Sequence, residues 1–144
     1  MTAKEYLSQA FWLNQLIDSK LEQLVVLRSL ATKVTSSLSE VKVQNSNDEK
    51  SRLENTIIKI IELEGEINDD VDRLVDLKIE IRESINMITD INLKLLLDMR
   101  YLNGKGWDEI AETMGYDPRT VFRIHGKALK ELGKKLSVNV SSDL

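Results

Sequence analysis

From Leu53 to Ile88 the chain places an apolar residue at every seventh position: Leu53, Ile60, Ile67, Leu74, Ile81 and Ile88. A second row follows four residues behind: Ile57, Glu64, Val71, Lys78 and Ile85. A seven-residue period held over about five heptads is the pattern of helices packed side by side, because only that spacing returns a side chain to the same seam. The first row takes the d positions and the second the a positions. One proline and six glycines in 144 residues leave few points at which such helices break.

The chain before this repeat reads as a helix too. Thr2 and Glu5 have capping-box spacing, a hydroxyl for one orphan amide and a carboxylate reaching back to another. Apolar residues then recur at three- and four-residue steps through Leu7, Ala10, Phe11, Ile17, Leu21, Leu24, Ala31, Val34 and Leu38, interrupted by Asn14 and Arg28. The polar stretch from Ser36 to Asp48 reads as a loop, and Ser46 with Glu49 repeats the capping-box spacing at the start of the second helix. Two matched arms of roughly 55–60 Å joined by a short loop predict an antiparallel hairpin. Ile58, Ile61, Leu63, Val75 and Leu77 widen the second arm's apolar face beyond one seam, so a further partner is expected on it. Glu64 and Lys78 either fix register inside the seam or lie wet at its edge.

The net charge of −4 conceals a division. Residues 39–92 carry fourteen acids against seven bases, whereas residues 115–136 carry six bases against two acids. The acids Glu62, Glu64, Glu66, Asp69, Asp70 and Asp72 read as a solvated helix face, or as a docking surface for a basic partner. No apolar run approaches the ~20 residues a membrane span needs, and the start of the chain lacks a signal-peptide pattern. The absence of cysteine excludes disulfides and thiolate metal sites and fits a cytoplasmic chain. No Gly-rich phosphate loop, metal triad or Ser-His-Asp order is present, so neither an enzyme nor a cofactor is expected.

Beyond Ile88 the pattern changes. Thr89 or Asp90 can cap a helix over Ile91–Leu102 with Ile91, Leu95, Leu96, Met99 and Leu102 apolar, and Asn103-Gly104-Lys105-Gly106 ends it. From Trp107 the spacing is that of a helix-turn-helix. Ile110 and Met114 are apolar, Ala111 is small where a second helix crosses, Gly115 serves the turn, and Val121 and Ile124 pack back. Asp117-Pro118 is an N-cap followed by proline at the first helical position. The second helix is expected from Pro118 to about Leu132, with Val121, Ile124, Ala128 and Leu132 buried. Arg119, Thr120, Phe122 and Arg123 then face outward as candidate base contacts, the arginines for guanine and Phe122 for a thymine methyl. Either arginine can equally serve a phosphate, and Phe122 can equally pack on a neighbouring helix. His125, Lys127, Lys130 and Lys134 are candidate phosphate contacts, and Trp107 is expected to pack over the short helix.

Leu96-Leu97-Asp98-Met99-Arg100-Tyr101-Leu102-Asn103-Gly104, followed by Trp107-Asp108-Glu109-Ile110-Ala111-Glu112, resembles region 4 of bacterial sigma-70-type factors. Arg119-Thr120-Val121-Phe122-Arg123 and Ala128-Leu129-Lys130-Glu131-Leu132 continue the likeness, which covers about residues 90–134. Within that superfamily the chain is similar to small phage and prophage regulators of the ArpU and RinA type. Periodicity and resemblance together give an all-α protein: the pattern of the residues predicts a long antiparallel coiled-coil hairpin for oligomerisation over residues 1–88, the resemblance implies a sigma region 4-like helix-turn-helix over 89–136, and a flexible tail is expected over 137–144. It implies a sequence-specific regulator of late phage or prophage genes. The expected partners are double-stranded DNA, further copies of the chain as a homodimer or higher homo-oligomer, and RNA polymerase, with no membrane. A small terminase-like DNA-packaging protein and a structural coiled-coil protein without a DNA role are the alternatives.

Overall fold

A computed structural model describes residues 1–40 and 46–142, and its described residues form helices and no strand. The order is α1 (Ala3–Glu40), α2 (Ser46–Asn86), α3 (Ile91–Leu97), a π-helical turn (Asp98–Leu102), α4 (Trp107–Met114) and α5 (Pro118–Ser142). The chain divides into two compact units, residues 14–73 and residues 1–13 with 74–144. The boundary between residues 88 and 89 expected from the sequence therefore falls inside the second of these.

Residues 14–73 contain α1 from Asn14 to its end and α2 as far as Arg73. As α1 advances from Lys20 to Arg28, its partners on α2 recede from Asp70 to Glu64, so the two segments run antiparallel. Leu24, Leu63 and Ile67 form the dry centre, flanked by Leu27 and Ile60. On α2 the covered rows are Leu53, Ile60 and Ile67 together with Thr56, Leu63 and Asp70, each spaced by seven. The first is the d row expected from the sequence. The second is not the expected a row, since Ile57 and Val71 are 43% and 40% exposed. The seam is rotated by one residue because α1 supplies partners for Leu63 and Asp70. Lys20 lies in this seam and holds Asp70 at 2.6 Å, with Glu66 at 3.7 Å. The Asp70 hydrogen bond holds the Lys20 ammonium above its ordinary range. Glu64, one of the two polar residues singled out in the sequence, meets Arg28 at 2.8 Å with both side chains well exposed, and Lys78 is exposed, so both lie wet at the edge.

The loop expected over 36–48 is shorter than the sequence suggests. Helix α1 continues to Glu40 and α2 begins at Ser46, while 41–45 and the side chains of Leu38 and Ser46 lie outside the described residues. The second expected capping box thus has no described partner, but the first is formed. Thr2 N–H donates to Glu5 Oε2 and Glu5 N–H to Thr2 Oγ1, both at 3.1 Å.

The other unit gathers its core from distant parts of the chain. Leu7 and Ala10 of α1 and Ile81, Ile85 and Ile88 join Leu93, Leu96, Leu97, Met99, Ile110, Ala111, Val121, Ala128 and Leu132 in one buried cluster. Tyr6 adds a polar contact, its hydroxyl 3.0 Å from Ser84 Oγ and 3.3 Å from Glu80 Oε1. Asp90 caps α3 by accepting from the backbone N–H of Asn92 and Leu93. Helix α3 buries Leu93, Leu96 and Leu97, so Ile91 and Leu95, expected inside, stand 78% and 40% exposed. Leu96 and Met99 of the expected stripe are buried, but Leu93 and Leu97 take the places expected of Ile91 and Leu95 in the core cluster.

Removing a buried leucine side chain costs about 2–5 kcal/mol through lost transfer energy and the cavity left behind. Leu7 is fully buried in the cluster that includes Val121, Ala128 and Leu132. We expect Leu7→Ala to destabilise α4 and α5 by that amount, read as earlier loss of amide protection there in hydrogen exchange. Unchanged protection in α5 would show that its fold does not depend on α1.

Candidate nucleic-acid interface

Helix α4 ends in a turn that only some residues can make. Gly115 has φ +73° and ψ 29°, the left-handed region where a Cβ is strained. Its N–H bonds Glu112 O at 3.3 Å, and Tyr116 N–H bonds Ala111 O at 3.0 Å, which closes the helix end in a Schellman arrangement. Asp117 then starts α5: its Oδ1 accepts from Thr120 N–H at 2.7 Å, and Pro118 occupies the first helical position, where no N–H is needed. The Thr120 hydroxyl and backbone N–H hold the Asp117 carboxylate below its ordinary range. Ile110 and Ala111 on α4, with Val121, Ala128 and Leu132 on α5, are the buried contacts between these helices and the core.

Burying that face of α5 leaves the opposite one in water. Arg119, Phe122, Arg123, Gly126, Lys127, Lys130 and Lys134 are all exposed. The cations recur at steps of four, four, three and four, which keeps them in one row. Among the described residues none of these five cations stands in an ion pair. Elsewhere Lys20, Arg28, Lys59 and Lys105 do stand in ion pairs. Of the four candidate base contacts, Arg119, Phe122 and Arg123 share this exposed face, whereas Thr120 is half-buried beside the cap.

His125 departs from the expectation of a surface phosphate donor. It is 9% exposed, with Nε2 2.7 Å from the Tyr101 hydroxyl. Its ring lies nearly parallel to Tyr101 at 5.8 Å and edge-on to Trp107 at 4.6 Å. Burial, with help from the Lys4 and Arg100 charges, lowers its pKa to about 4, so the imidazole is neutral at pH 7 and cannot offer a cation to phosphate. Burial raises the Tyr101 hydroxyl above its ordinary range, which keeps it protonated and able to donate to Nε2. The physical reason for the displacement is angular. His125 lies four residues after Val121 and three before Ala128, on the same buried side of α5.

Two residues of this cluster escaped the sequence reading. Arg100 lies with its guanidinium 4.4 Å from the Trp107 ring centre and donates from Nη1 to Lys105 O at 3.1 Å. Tyr101 meets His125. Both sit in the π-helical turn, where Asn103 N–H reaches back five residues to Asp98 O at 3.0 Å. The wider turn re-aims Arg100 and Tyr101 toward α4 and α5 relative to an unbroken α-helix. A usable signal is present: Tyr101, Trp107, Tyr116, Phe122 and His125 place five rings within 25 residues of a chain with few aromatics. Trp107 packs as expected over this end of α4, and Phe122, 52% exposed, leans on it at 5.3 Å between ring centres. Helix α5 runs past the expected end at Leu132 and carries helical backbone into the expected tail as far as Ser142, aided by Leu136, which packs against the core cluster.

The geometry defines a pair of helices around a left-handed turn, the second presenting a cationic face. Residues 33–133 match the family model described as Protein of unknown function (DUF1492), and the chain belongs to that family. The comparisons with curated proteins and with solved structures gave no match. Among the described residues no helix is long and apolar enough to cross a membrane.

A histidine whose pKa falls on folding stabilises the fold fully above its unfolded value near 6.5, and that contribution is lost as pH drops toward 4. The loss amounts to at most about 3 kcal/mol. His125→Phe removes this dependence, so wild type and variant should differ in the pH dependence of Tm between pH 6.5 and 4. Parallel profiles would show that His125 titrates as a solvated group.

Proposed function

We propose that this protein is a sequence-specific DNA-binding transcriptional regulator of the phage or prophage type, acting on late genes. In this reading α4 and α5 form a sigma region 4-like helix-turn-helix, and α1 and α2 form an antiparallel hairpin for self-association. The observation that carries the reading is the row Arg119, Arg123, Lys127, Lys130 and Lys134, five cations in line on the exposed face of α5. Charges of one sign gathered along one helix face suit a polyanion. Arg119 and Arg123 lie in the half of the helix that reaches base edges in this motif, beside Phe122. Lys127, Lys130 and Lys134 are assigned to phosphates. His125 has a positioning role: its bond to Tyr101 and its contact with Trp107 hold α5 to the helices before it.

The cation row sets the measurement. Neutralising about five phosphates per monomer makes log K for duplex DNA fall against log salt with a slope of about −4 to −5. Arg123→Ala should cost ~1–3 kcal/mol and relax preference at one base pair, while Lys134→Ala should weaken all duplexes alike and reduce the slope by about one. Competition binding of the full chain across single-base variants reads both effects. A uniform loss for Arg119→Ala and Arg123→Ala would remove them as base readers, and no duplex binding at low salt would end the reading.

Self-association has its own support. Leu16, Val26 and Leu30 of α1 are 47%, 58% and 45% exposed, and with Ser19 and Gln23 they make an uncharged line at three- and four-residue steps. Apolar area left in water costs ~25 cal/mol per Å2, which a second chain recovers. Val26→Asp places a charge on this line without touching the core. Light scattering should show an oligomer for wild type and dissociation for Val26→Asp at unchanged helicity. A wild-type monomer at micromolar concentration would reject the proposal.

A further inference from the structure

We propose that Gly126 is the point at which a DNA duplex comes against the backbone of α5, and that the missing side chain sets how deeply the helix seats; this rests on the DNA-binding reading above. A glycine inside a helix costs about 1 kcal/mol relative to alanine, because it orders a freer backbone and packs nothing. Chains retain one for a left-handed backbone or for a close approach. Gly126 has no left-handed backbone, since the glycines with positive φ are Gly104 and Gly115. Nor does it make a close approach within the chain, because a Cβ built on it meets nothing within 4 Å. The cost therefore has no return inside the folded monomer.

Its surroundings say what approaches from outside. Gly126 is exposed and lies one turn beyond Phe122 and Arg123 and one turn before Lys130, with Lys127 beside it. The five-cation row on this face extends about 22 Å from Arg119 to Lys134. A polyanion laid along the row has Gly126 at its flank, between the cations and Phe122. There the helix is thinnest, with the long cationic side chains rising on one side and the Phe122 ring on the other. The arginines beside it reach base edges only if the duplex comes close, and a Cβ on this side of the face holds it away while leaving the lysines in reach of phosphates. Gly65 on α2 and Gly133 on α5 are also helical with open space around them; Gly133 lies beside Lys134 at the far end of the row, whereas no such row surrounds Gly65, which makes Gly65 the control.

The test uses the full-length chain and a pool of randomised duplexes at low salt, with thermal unfolding measured in parallel. Gly126→Ala should raise Tm, as a better helix former does, and yet lower duplex affinity roughly tenfold, with Gly126→Leu lowering it further, as expected for a steric overlap. The salt slope should remain that of wild type, since no cation is removed. Gly65→Ala should raise Tm with affinity unchanged. Gly126 variants that bind as wild type does would overturn the inference while leaving the DNA-binding reading intact. A wild-type chain that retains no duplex would overturn both.

Discussion

Val121, His125, Ala128 and Leu132 take one side of α5 out of water, and what α5 can offer a partner follows from that burial. A helix that commits one side to a core has only the other to present, and its angular limits are set by residues that never touch the partner. Here the inner side is unusual in containing a histidine. The Tyr101 hydroxyl and the Trp107 ring satisfy and cover it, so the imidazole behaves as a polar core residue with a defined orientation rather than as a surface base. The π-helical turn belongs to the same device. It interrupts the regular hydrogen-bond ladder after α3 and brings Arg100 and Tyr101 to bear on Trp107 and His125.

The long helices rest on a second constraint, the partnering of polar groups inside an otherwise apolar seam. Lys20 and Asp70, both only 19% exposed at the side chain, occupy seam positions where leucine would be expected. Tyr6 and Ser84 do the same within the other unit. Such pairs add little net stability, because desolvation offsets their attraction, but a slip of one residue would leave each charge or hydroxyl without its partner. Arg28 and Glu64, in contrast, meet in water at the edge and specify much less.

Local features were the most legible. The Thr2–Glu5 box, the Asp90 and Asp117 caps, the Gly115 turn and the α4–α5 spacing depend on residues within a few positions of each other, and each has one physical solution. Phase errors arose where apolar residues outnumbered the positions that one seam can cover. Ile91 and Leu95 looked as suitable for burial as Leu93 and Leu97, and Ile57 and Val71 as suitable as Leu63 and Leu77. Choosing among them requires knowing where the partner helix lies. His125 was misplaced for the opposite reason: its polarity suggested the surface, whereas its angular position between Val121 and Ala128 already put it on the inner side.

The sequence by itself determined that the chain is helical, where most of its helices begin, and that its positive charge collects on the last of them. Those properties follow from periodicity, capping chemistry and composition, which act over one or two turns. Tertiary structure alone decided that Leu7 shares a core with Leu132, that Lys20 answers Asp70, and that His125 is buried beneath Tyr101 and Trp107. These contacts join residues between 18 and 125 positions apart, and no local preference distinguishes them from their rivals. They are selected by packing, because only one mutual arrangement of the helices covers the core and pairs its polar groups at the same time.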